Sequence, residues 1–436
     1  MRIILALIAW AFCTVSAVAE TDIQEITTKG GIKVWLVEEH SIPFIALEVS
    51  FKGGASLDAP EKAGATYLMT GLLEEGSDDM DATAFSKAAE ELAASFGYDA
   101  GRDSVSISAQ VLTENRDQAL ALLKQALMEP SFDAIAFDRV KKQVLSIVRS
   151  SETDPGDIAG RTIRALAYPN HPYSQPLEGT PETVASLTVD DIRTAHKGAF
   201  AKDRMFVSVV GDITAAELGP LLDELLGELS ETGPALPQKT EFAASGGLSV
   251  VDFDTPQAVA VWAHAGIDRD DPEFFAAYLL NHILGGSGFT ARLTQEVREK
   301  RGLTYGVYSY LAPYDYVSIV GGSVSSSNDR IKTAIEVIQE EWRKMAENGV
   351  TEAELIAAKK YLTGAYPLRF DGNGRIAGLL VGMQMQGYPI DYPKTRNDKV
   401  NAVTLEEVNS VAKWLLKPDA MRFVVVGKPE GLVSTD

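Results

Sequence analysis

The chain has 436 residues, of which 45% are hydrophobic and 23% are charged, and its formal net charge is −21. Ordinary domains hold about 100–200 residues, so this length predicts at least two domains. The apolar fraction excludes a disordered chain, a mean hydropathy near zero excludes a multispan membrane protein, and the negative charge disfavours nucleic acid as a partner. The single cysteine allows neither an internal disulfide nor a thiolate zinc site.

The first 19 residues have the pattern of a signal peptide. Arg2 is followed by the apolar run Ile3–Cys13, and Ala17–Ala19 supplies the small residues of a cleavage site. The run has 11 residues, whereas a membrane-spanning helix needs about 20, and so no membrane span is expected after cleavage. Removal of residues 1–19 takes away Arg2 and the only cysteine but no acidic residue, which leaves a net charge of −22. We expect a periplasmic or secreted protein, with a buried N-terminal helix as the alternative.

The mature chain contains an internal sequence repeat. A shift of 216 residues aligns Val184–Asp212 with Val400–Lys428 without a gap. In each copy a threonine followed by acidic residues predicts a helix start, and a β-branched run that ends at glycine predicts a buried strand. The constant offset through both elements favours a duplication over chance similarity. With the Gly/Pro-containing stretch 232–247 as a linker, we predict an N-terminal domain at 20–231 and a C-terminal domain at 248–436.

Each half mixes strands with helices. Adjacent strands followed by runs of helices predict an α+β fold, with a mostly antiparallel sheet packed with helices in each half. The Ala/Glu-rich helix pattern of the first half stops at Gly97, as a helix end does. The predicted strands are Ile32–Val37, Phe44–Phe51, Ser104–Val111, Leu248–Phe253, Val259–His264, Tyr305–Leu311 and Val317–Val324. The predicted helices are Thr83–Phe96, Glu114–Met128, Asp133–Ser150, Pro272–Leu284, Thr290–Lys300, Asp329–Glu347 and Glu352–Thr363.

The strongest local signal lies at Leu293–Tyr310. A helix there ends on cationic residues followed by Gly302, which complements the negative end of the helix and supplies a left-handed cap. The strand predicted directly after it places Tyr305 on the same face as Val307. The Gly-rich stretch Leu284–Phe289 precedes this helix; it lacks the Lys-Ser/Thr of a phosphate loop, so we expect a hinge or a close approach of substrate backbone.

These segments resemble the C-terminal half of the inverted-zinc metallopeptidases, the pitrilysin/insulinase family that includes mitochondrial processing peptidase. The resemblance covers nearly the whole mature chain and implies a processing-peptidase-like pair of duplicated halves. In that family an arginine and a tyrosine seven residues apart bind substrate and stabilise the oxyanion of the tetrahedral intermediate, and Arg298 and Tyr305 match that spacing. Guanidinium and phenol groups are the donors that such a role requires. From the residues alone, an arginine on a solvated helix end and a tyrosine in a half-buried strand remain the alternative.

The sequence departs from the family at the zinc site. Active members carry His-x-x-Glu-His on a helix of the first half, and a further glutamate downstream completes the ligand set. The matching positions here hold Thr66, Met69 and Thr70, and the matching downstream stretch Leu145–Val148 contains no carboxylate. The five histidines are at least 18 residues apart, so no two can share one helix face at adjacent turns. We therefore expect no metal or other cofactor in this chain.

The resemblance and the departure together suggest a zinc-free subunit of a heteromeric metallopeptidase. Arg298 and Tyr305 would contribute substrate binding and oxyanion stabilisation, and a homologous partner subunit would carry the zinc. The expected ligands are peptide substrates, and the chain is expected to be inactive alone. The alternatives are a structural or assembly protein of the same fold and a standalone peptide-binding protein, neither with a catalytic part.

Overall fold

The computed structural model describes residues 22–286 and 288–435, so the predicted signal peptide at 1–19 lies outside the described residues. Within these two ranges, no helix combines the length and the apolar character that crossing a membrane requires. Strands and helices are numbered in chain order. The strands are β1 Gln24–Thr27, β2 Lys33–Glu38, β3 Phe44–Lys52, β4 Gly76–Ser77, β5 Met80–Asp81, β6 Ser95–Ala100, β7 Ser104–Leu112, β8 Met205–Gly211, β9 Gly247–Asp252, β10 Gln257–Ala265, β11 Val307–Pro313, β12 Ser318–Ser327 and β13 Arg422–Gly427.

The α-helices lie between the strands along the chain. They are α1 Ala65–Thr70, α2 Ala82–Glu91, α3 Arg116–Met128, α4 Ala134–Ser151, α5 Pro155–Ala167, α6 Pro181–Ser186, α7 Val189–Ala199, α8 Ala215–Leu226, α9 Phe274–Asn281, α10 Ile331–Asn348, α11 Glu352–Ala365, α12 Asn373–Met385, α13 Tyr392–Ala402 and α14 Leu405–Leu415. Two wider, π-helical turns lie at His282–Gly286 and Thr294–Glu299.

The two large sheets share one topology. The first has the strand order β1-β2-β8-β3-β7-β6, and the second has the order β11-β12-β10-β13-β9. The pairs β2/β8 and β9/β13 are parallel, and every other pairing within these two sheets is antiparallel. Five strands of the first sheet therefore have a counterpart at the same place in the second. The predicted α+β fold with duplicated, mostly antiparallel halves is confirmed.

The helix–strand repeat found in the sequence is also present in the structure. Thr188 and Thr404 each begin a helix with a capping box, in which the threonine side chain accepts a hydrogen bond from the backbone of the third helical residue. The strands that follow end at Gly211 and Gly427, with φ of 148° and 150°, a conformation that favours glycine. Both the helix starts and these glycines are 216 residues apart, as in the sequence alignment.

The halves interlock through one helix each. Helix α5 of the first half packs on β10 and β13 of the second sheet, and α12 of the second half packs on β3 and β8 of the first. Two side-chain hydrogen bonds hold α12 in place: Ser208 donates to the Ala377 carbonyl at 2.6 Å, and Gln384 donates to the Val207 carbonyl at 2.8 Å. Each sheet therefore has its own apolar core on one face and a helix of the other half on the opposite face.

Two of the predicted helices are shorter than the sequence indicated. The helix predicted to run to Phe96 ends at Glu91, and Gly97 lies inside the edge strand β6 and does not cap a helix. Ala93 adopts a φ of 48°, so the chain leaves the helical path before the glycine. The helix predicted at Pro272–Leu284 ends at Asn281 and continues as the wide turn His282–Gly286.

Candidate functional site

The helix that carries the family's zinc motif is present, but its side chains serve other purposes. Thr66, Met69 and Thr70 lie on α1 at the motif positions. The Asp58 carboxylate accepts hydrogen bonds of 2.6–3.2 Å from the Gly64 backbone N–H and from the backbone N–H and hydroxyl of Thr66. Burial raises the pKa of Asp58 to about 6, and these hydrogen bonds oppose the rise. The Thr66 hydroxyl therefore anchors the start of the helix.

The remaining motif positions do not fit a zinc ion. Met69 is fully buried in the core of the first half, and the Thr70 hydroxyl donates to the Tyr67 carbonyl at 2.9 Å. Helix α4 supplies Leu145 and Val148 to the same core, where the family has its downstream glutamate. Among residues 22–286 and 288–435, no group of three or more His, Cys, Asp or Glu could hold a metal ion. Hydroxyl, thioether and alkyl groups are not the ligands of protein zinc sites.

The two most buried histidines form hydrogen bonds within the fold. His264 accepts from Trp342 Nε1 at 3.1 Å and donates from Nδ1 to the Ala265 carbonyl at 2.8 Å. His196 donates from Nε2 to the Leu127 carbonyl at 2.8 Å. Burial lowers the pKa of both residues to about 4, so both are neutral near pH 7. The other three have separate contacts: His40 Nδ1 lies 2.7 Å from Asp212, His171 Nε2 lies 3.1 Å from the Gln238 carbonyl, and His282 stacks on Tyr361.

Replacement of His264 by glutamine should reduce the acid sensitivity of the fold. The unfolded chain binds a proton at this histidine below about pH 6.5 and the folded chain only near pH 4, so wild-type stability falls as the pH decreases through this window. In His264→Gln, the slope of the unfolding free energy against pH should be smaller by about 1 kcal/mol per pH unit. Urea unfolding between pH 4.5 and 7 measures both slopes.

His40→Gln is the matched control for that prediction. The Asp212 carboxylate raises the pKa of His40, so this residue stabilises the fold below pH 6.5, and the contribution is lost as the pH rises through the raised pKa. Above about pH 6.5, His40→Gln should therefore change the pH slope in the opposite sense from His264→Gln, and at lower pH it should leave the slope unchanged. For this control the urea series extends to about pH 8. Equal slopes in the wild type and in His264→Gln would contradict the assignment of a neutral, buried imidazole.

Arg298 lies on the wide turn Thr294–Glu299, at the end of the helix before β11. Its guanidinium carbon is 5.1 Å from the ring centroid of Phe289, and its Nε is 3.4 Å from the Glu299 carboxylate. The side chain is 38% exposed, and within the described residues no hydrogen bond engages its terminal Nη groups. The guanidinium is therefore supported by an aromatic ring and retains donors for a further partner.

The helix that carries Arg298 ends as the sequence predicted. Gly302 adopts a φ of 59°, and its N–H donates to the Arg298 carbonyl at 2.8 Å. The Leu303 N–H donates to the Val297 carbonyl at 3.0 Å, so both bonds at this helix end reach one residue further back than in the usual glycine cap, as the wide π-helical turn requires. The cap fixes the direction in which the chain leaves the helix towards β11.

Tyr305 lies on an exposed turn outside the strand. Strand β11 begins at Val307, and Tyr305 is 88% exposed whereas Val307 is buried, so the predicted placement of both on one strand face is wrong. Thr304 is buried, and its hydroxyl accepts from the Gly306 N–H at 3.0 Å and also contacts the Ser325 carbonyl of β12. These bonds hold the turn against the sheet and direct the Tyr305 ring into solvent.

Arg298 and Tyr305 thus flank the same helix cap, at the start of β11, which is an edge strand of the second sheet. Both side chains are accessible, and both are held by structured backbone. Within the described residues there is no direct hydrogen bond or ring contact between them. The structure therefore brings the pair to one edge of the sheet and leaves each side chain free to contact a third group.

Comparisons with known proteins agree with this architecture. Residues 33–181 match the family described as "Insulinase (Peptidase family M16)", and residues 186–362 match the "Peptidase M16 inactive domain". The chain belongs to the M16 peptidase family. Thr66, Met69 and Thr70 lie within the first matched region, and Arg298 and Tyr305 lie within the second.

Three similar proteins illustrate the range of M16-like chains. A Helicobacter pylori protein named "Non-peptidase homolog YmxG" is 25% identical over 98% of both chains. A crystal structure titled as a peptidase M16 inactive domain from Pseudomonas fluorescens is 29% identical, with a TM-score of 0.87 over 95% of this chain and 100% of that one. A chain of complex III2 from Candida albicans has a TM-score of 0.79 at 16% identity, over 94% of this chain and 97% of that one, and so shares the fold alone.

The Gly-rich loop of this M16 chain has a packing role. A Cβ on Gly285 would lie 2.9 Å from the Ser309 backbone nitrogen and 2.7 Å from the Leu293 side chain. Gly285 therefore allows a close approach to the chain's own strand β11, whereas the sequence led us to expect a hinge or an approach of substrate backbone. Phe289, at the end of the loop, is 66% exposed, and its contact with the Arg298 guanidinium was not predicted, because no sequence spacing indicates a cation–π pair.

Proposed function

We propose that this chain is the zinc-free subunit of a two-chain M16 peptidase, and that Arg298 and Tyr305 act on a peptide bound at the zinc site of a homologous partner. The observation that carries the proposal is a contrast between the two family sites. Thr66 forms a hydrogen bond with Asp58 and Met69 is buried in the core, so neither side chain can reach a metal ion or a substrate. Arg298 and Tyr305 are accessible, and hydrogen bonds of the neighbouring backbone hold them in place.

The chemistry of the pair suits a developing negative charge. During hydrolysis the carbonyl oxygen of the scissile peptide bond gains electron density as water adds to the carbon. The Arg298 guanidinium and the Tyr305 phenol are both donors, so either can stabilise that oxygen. Neither residue provides a nucleophile or a metal ligand, and the attacking water would be activated in the partner subunit. The chain alone is then expected to bind peptide and not to cleave it.

The pattern of residues 1–19 supports a periplasmic location for this complex. A mature chain without cysteine is compatible with an oxidising compartment, because it has no thiol to be oxidised. The zinc-bearing partner would then be exported as well. Cell fractionation with an antibody against the chain tests this part of the proposal, and recovery in the cytoplasmic fraction would contradict it.

Mixing the mature chain with a zinc-bearing M16 homologue from the same organism tests the partnership. Size-exclusion chromatography with light scattering should give a mass that contains both chains, with zinc in proportion to the homologue only. A homologue that forms its own dimer and leaves this chain unbound would contradict the proposal. A mixed complex that cleaves peptides no faster than the homologue alone would favour the structural role.

A further inference from the structure

A cavity of about 470 Å³ lies in the second half, between α9, β11 and α12. This volume suits a side chain or a small ligand. Three arginines, Arg269, Arg369 and Arg396, line the cavity, and its lining contains no aspartate or glutamate. The chain as a whole has 61 acidic and 40 basic residues, whereas the charged residues that line this cavity are all basic. No ion pair to any of the three arginines is present among the described residues.

Arg396 is the deepest of these cations. It is 5% exposed, and its guanidinium carbon lies 4.6 Å from the ring centroid of Tyr366 and 5.6 Å from that of Tyr278. Its Nη1 donates to the Leu362 carbonyl at 2.9 Å and to the Asn397 side chain at 3.0 Å. Neutral acceptors and aromatic rings therefore surround a buried positive charge, and a buried charge without a counter-ion is costly unless a ligand supplies one.

Tyr366 gives a second, independent indication of a ligand. The residue is 7% exposed and lines the cavity, and its hydroxyl has no hydrogen-bond partner within the described residues. Burial raises the pKa of this phenol, and the positive charges of Arg396 and Arg369 oppose the rise, so both guanidinium groups act on the same hydroxyl. A buried hydroxyl is normally hydrogen-bonded. An acceptor group of a ligand in the cavity could accept hydrogen bonds from the Tyr366 hydroxyl and from the arginines at the same time.

The wall formed by α12 leaves room for such a ligand. Gly378 and Gly382 both line the cavity, and a Cβ added to either would meet no atom within 4 Å. The opposite wall includes Ser309 and Leu311 of β11, the strand that begins two residues after Tyr305. With a rise of about 3.3 Å per residue, a peptide lying along β11 would bring a residue roughly four to six positions from Tyr305 to this cavity.

We infer that the cavity is a recognition site for a carboxylate of the bound peptide, held by Arg369, Arg396 and the Tyr366 hydroxyl. The preference for an anion rests on the cavity, and the identification of the ligand as a peptide rests on the proposed function. The site lies within this chain, so the isolated chain binds the acidic peptide without a zinc-bearing partner.

Calorimetric titration of the isolated mature chain tests the inference. The probes are an acetylated, amidated peptide with one central glutamate, the same peptide with glutamine in its place, and inorganic phosphate. The glutamate peptide should bind at least tenfold more tightly than the glutamine peptide. Arg369→Gln and Tyr366→Phe should each reduce that preference several-fold, whereas Arg375→Gln, an exposed arginine of α12 outside the cavity lining, should not change it.

A cavity-filling variant keeps the test independent of folding defects. Gly382→Leu should abolish the preference because the new side chain enters open space, and Gly364→Leu, at an exposed helical glycine outside the cavity, is the control. Equal affinity for the two peptides would overturn the inference, as would tight binding of phosphate without peptide discrimination. A preserved glutamate preference together with an inactive two-chain mixture would instead contradict only the proposed function.

Discussion

Arg298→Ala is expected to lower the peptide hydrolysis rate of the two-chain complex by about a hundredfold or more. Removal of one donor that stabilises an oxyanion typically costs that much, because the charge develops only in the transition state. Tyr305→Phe removes only a hydroxyl and should cost about tenfold. The Michaelis constant should change less than kcat if the contacts strengthen in the transition state. Steady-state kinetics on the purified complex measures both constants.

The fold should tolerate Arg298→Ala and Tyr305→Phe, so the lower hydrolysis rate would reflect the missing hydrogen-bond donor and not unfolding. The Arg298 side chain is 38% exposed, and its contact with the Phe289 ring contributes about 0.5–1 kcal/mol at such a site. Arg301→Ala is the matched control: Arg301 lies three residues further along, is 41% exposed and pairs with Glu296 at 2.7 Å. Its removal should leave hydrolysis unchanged. Equal losses for Arg298→Ala and Arg301→Ala would indicate a general effect of charge.

The second large effect is expected at the former zinc positions. The combined variant Thr66→His, Met69→Glu and Thr70→His should unfold the first half more easily, by about 4 kcal/mol or more, and should still bind no stoichiometric zinc. Met69 is fully buried, so a carboxylate there loses its hydration without gaining a partner. The Thr66→His substitution would also deprive the Asp58 carboxylate of the hydroxyl that now donates to it.

Urea unfolding and metal analysis after dialysis against zinc measure the two parts of this prediction. The third ligand is missing because helix α4 presents Leu145 and Val148 to the core at the downstream position. Met69→Leu conserves volume and polarity, so it should cost less than about 1.5 kcal/mol and serves as the control. If the triple variant bound one zinc per chain with unchanged stability, the former zinc positions would not be part of the packed core, which would contradict this prediction.

The sequence predicted the parts of the fold that have local signals. Strands β3 and β7 were predicted to begin at Phe44 and Ser104, where the structure begins them. Strand β7 alternates and has one buried face, whereas β3 is apolar at most positions and is buried on both faces. The helix starts at Thr188 and Thr404 were predicted because threonine followed by acidic residues has a specific capping function. The cap at Gly302 was predicted for the same kind of reason.

The missed elements depend on distant partners. Helices α5 and α12 were not predicted, because each packs on the sheet of the other half and contains glycines that weaken the helical pattern. The first two residues of strand β6, Ser95 and Phe96, were assigned to the preceding helix, because the Ala/Glu-rich pattern gives no sign that the chain turns at Ala93, which has a positive φ. Tertiary packing decides these cases, and a single sequence does not display it.

The sequence also predicted only those parts of the candidate site that have a local signal. The positions of Arg298 and Tyr305 followed from a family spacing, but the exposure of Tyr305 arises from the Thr304 bonds to β12, which no local pattern indicates. The cavity was invisible to sequence analysis, because Arg269 and Arg396 come from segments more than a hundred residues apart. Only the fold brings these guanidinium groups together.

The most direct test of a zinc-free catalytic subunit is the hydrolysis rate of a peptide as this chain is titrated into a fixed amount of its zinc-bearing homologue. The rate should rise with added chain and reach a plateau at a fixed stoichiometric ratio. With Arg298→Ala and Tyr305→Phe combined, the same complex should form, but the plateau should be at least a hundredfold lower. An equal plateau for the wild-type and double-variant chains, or no rise at all, would contradict a catalytic role for this chain.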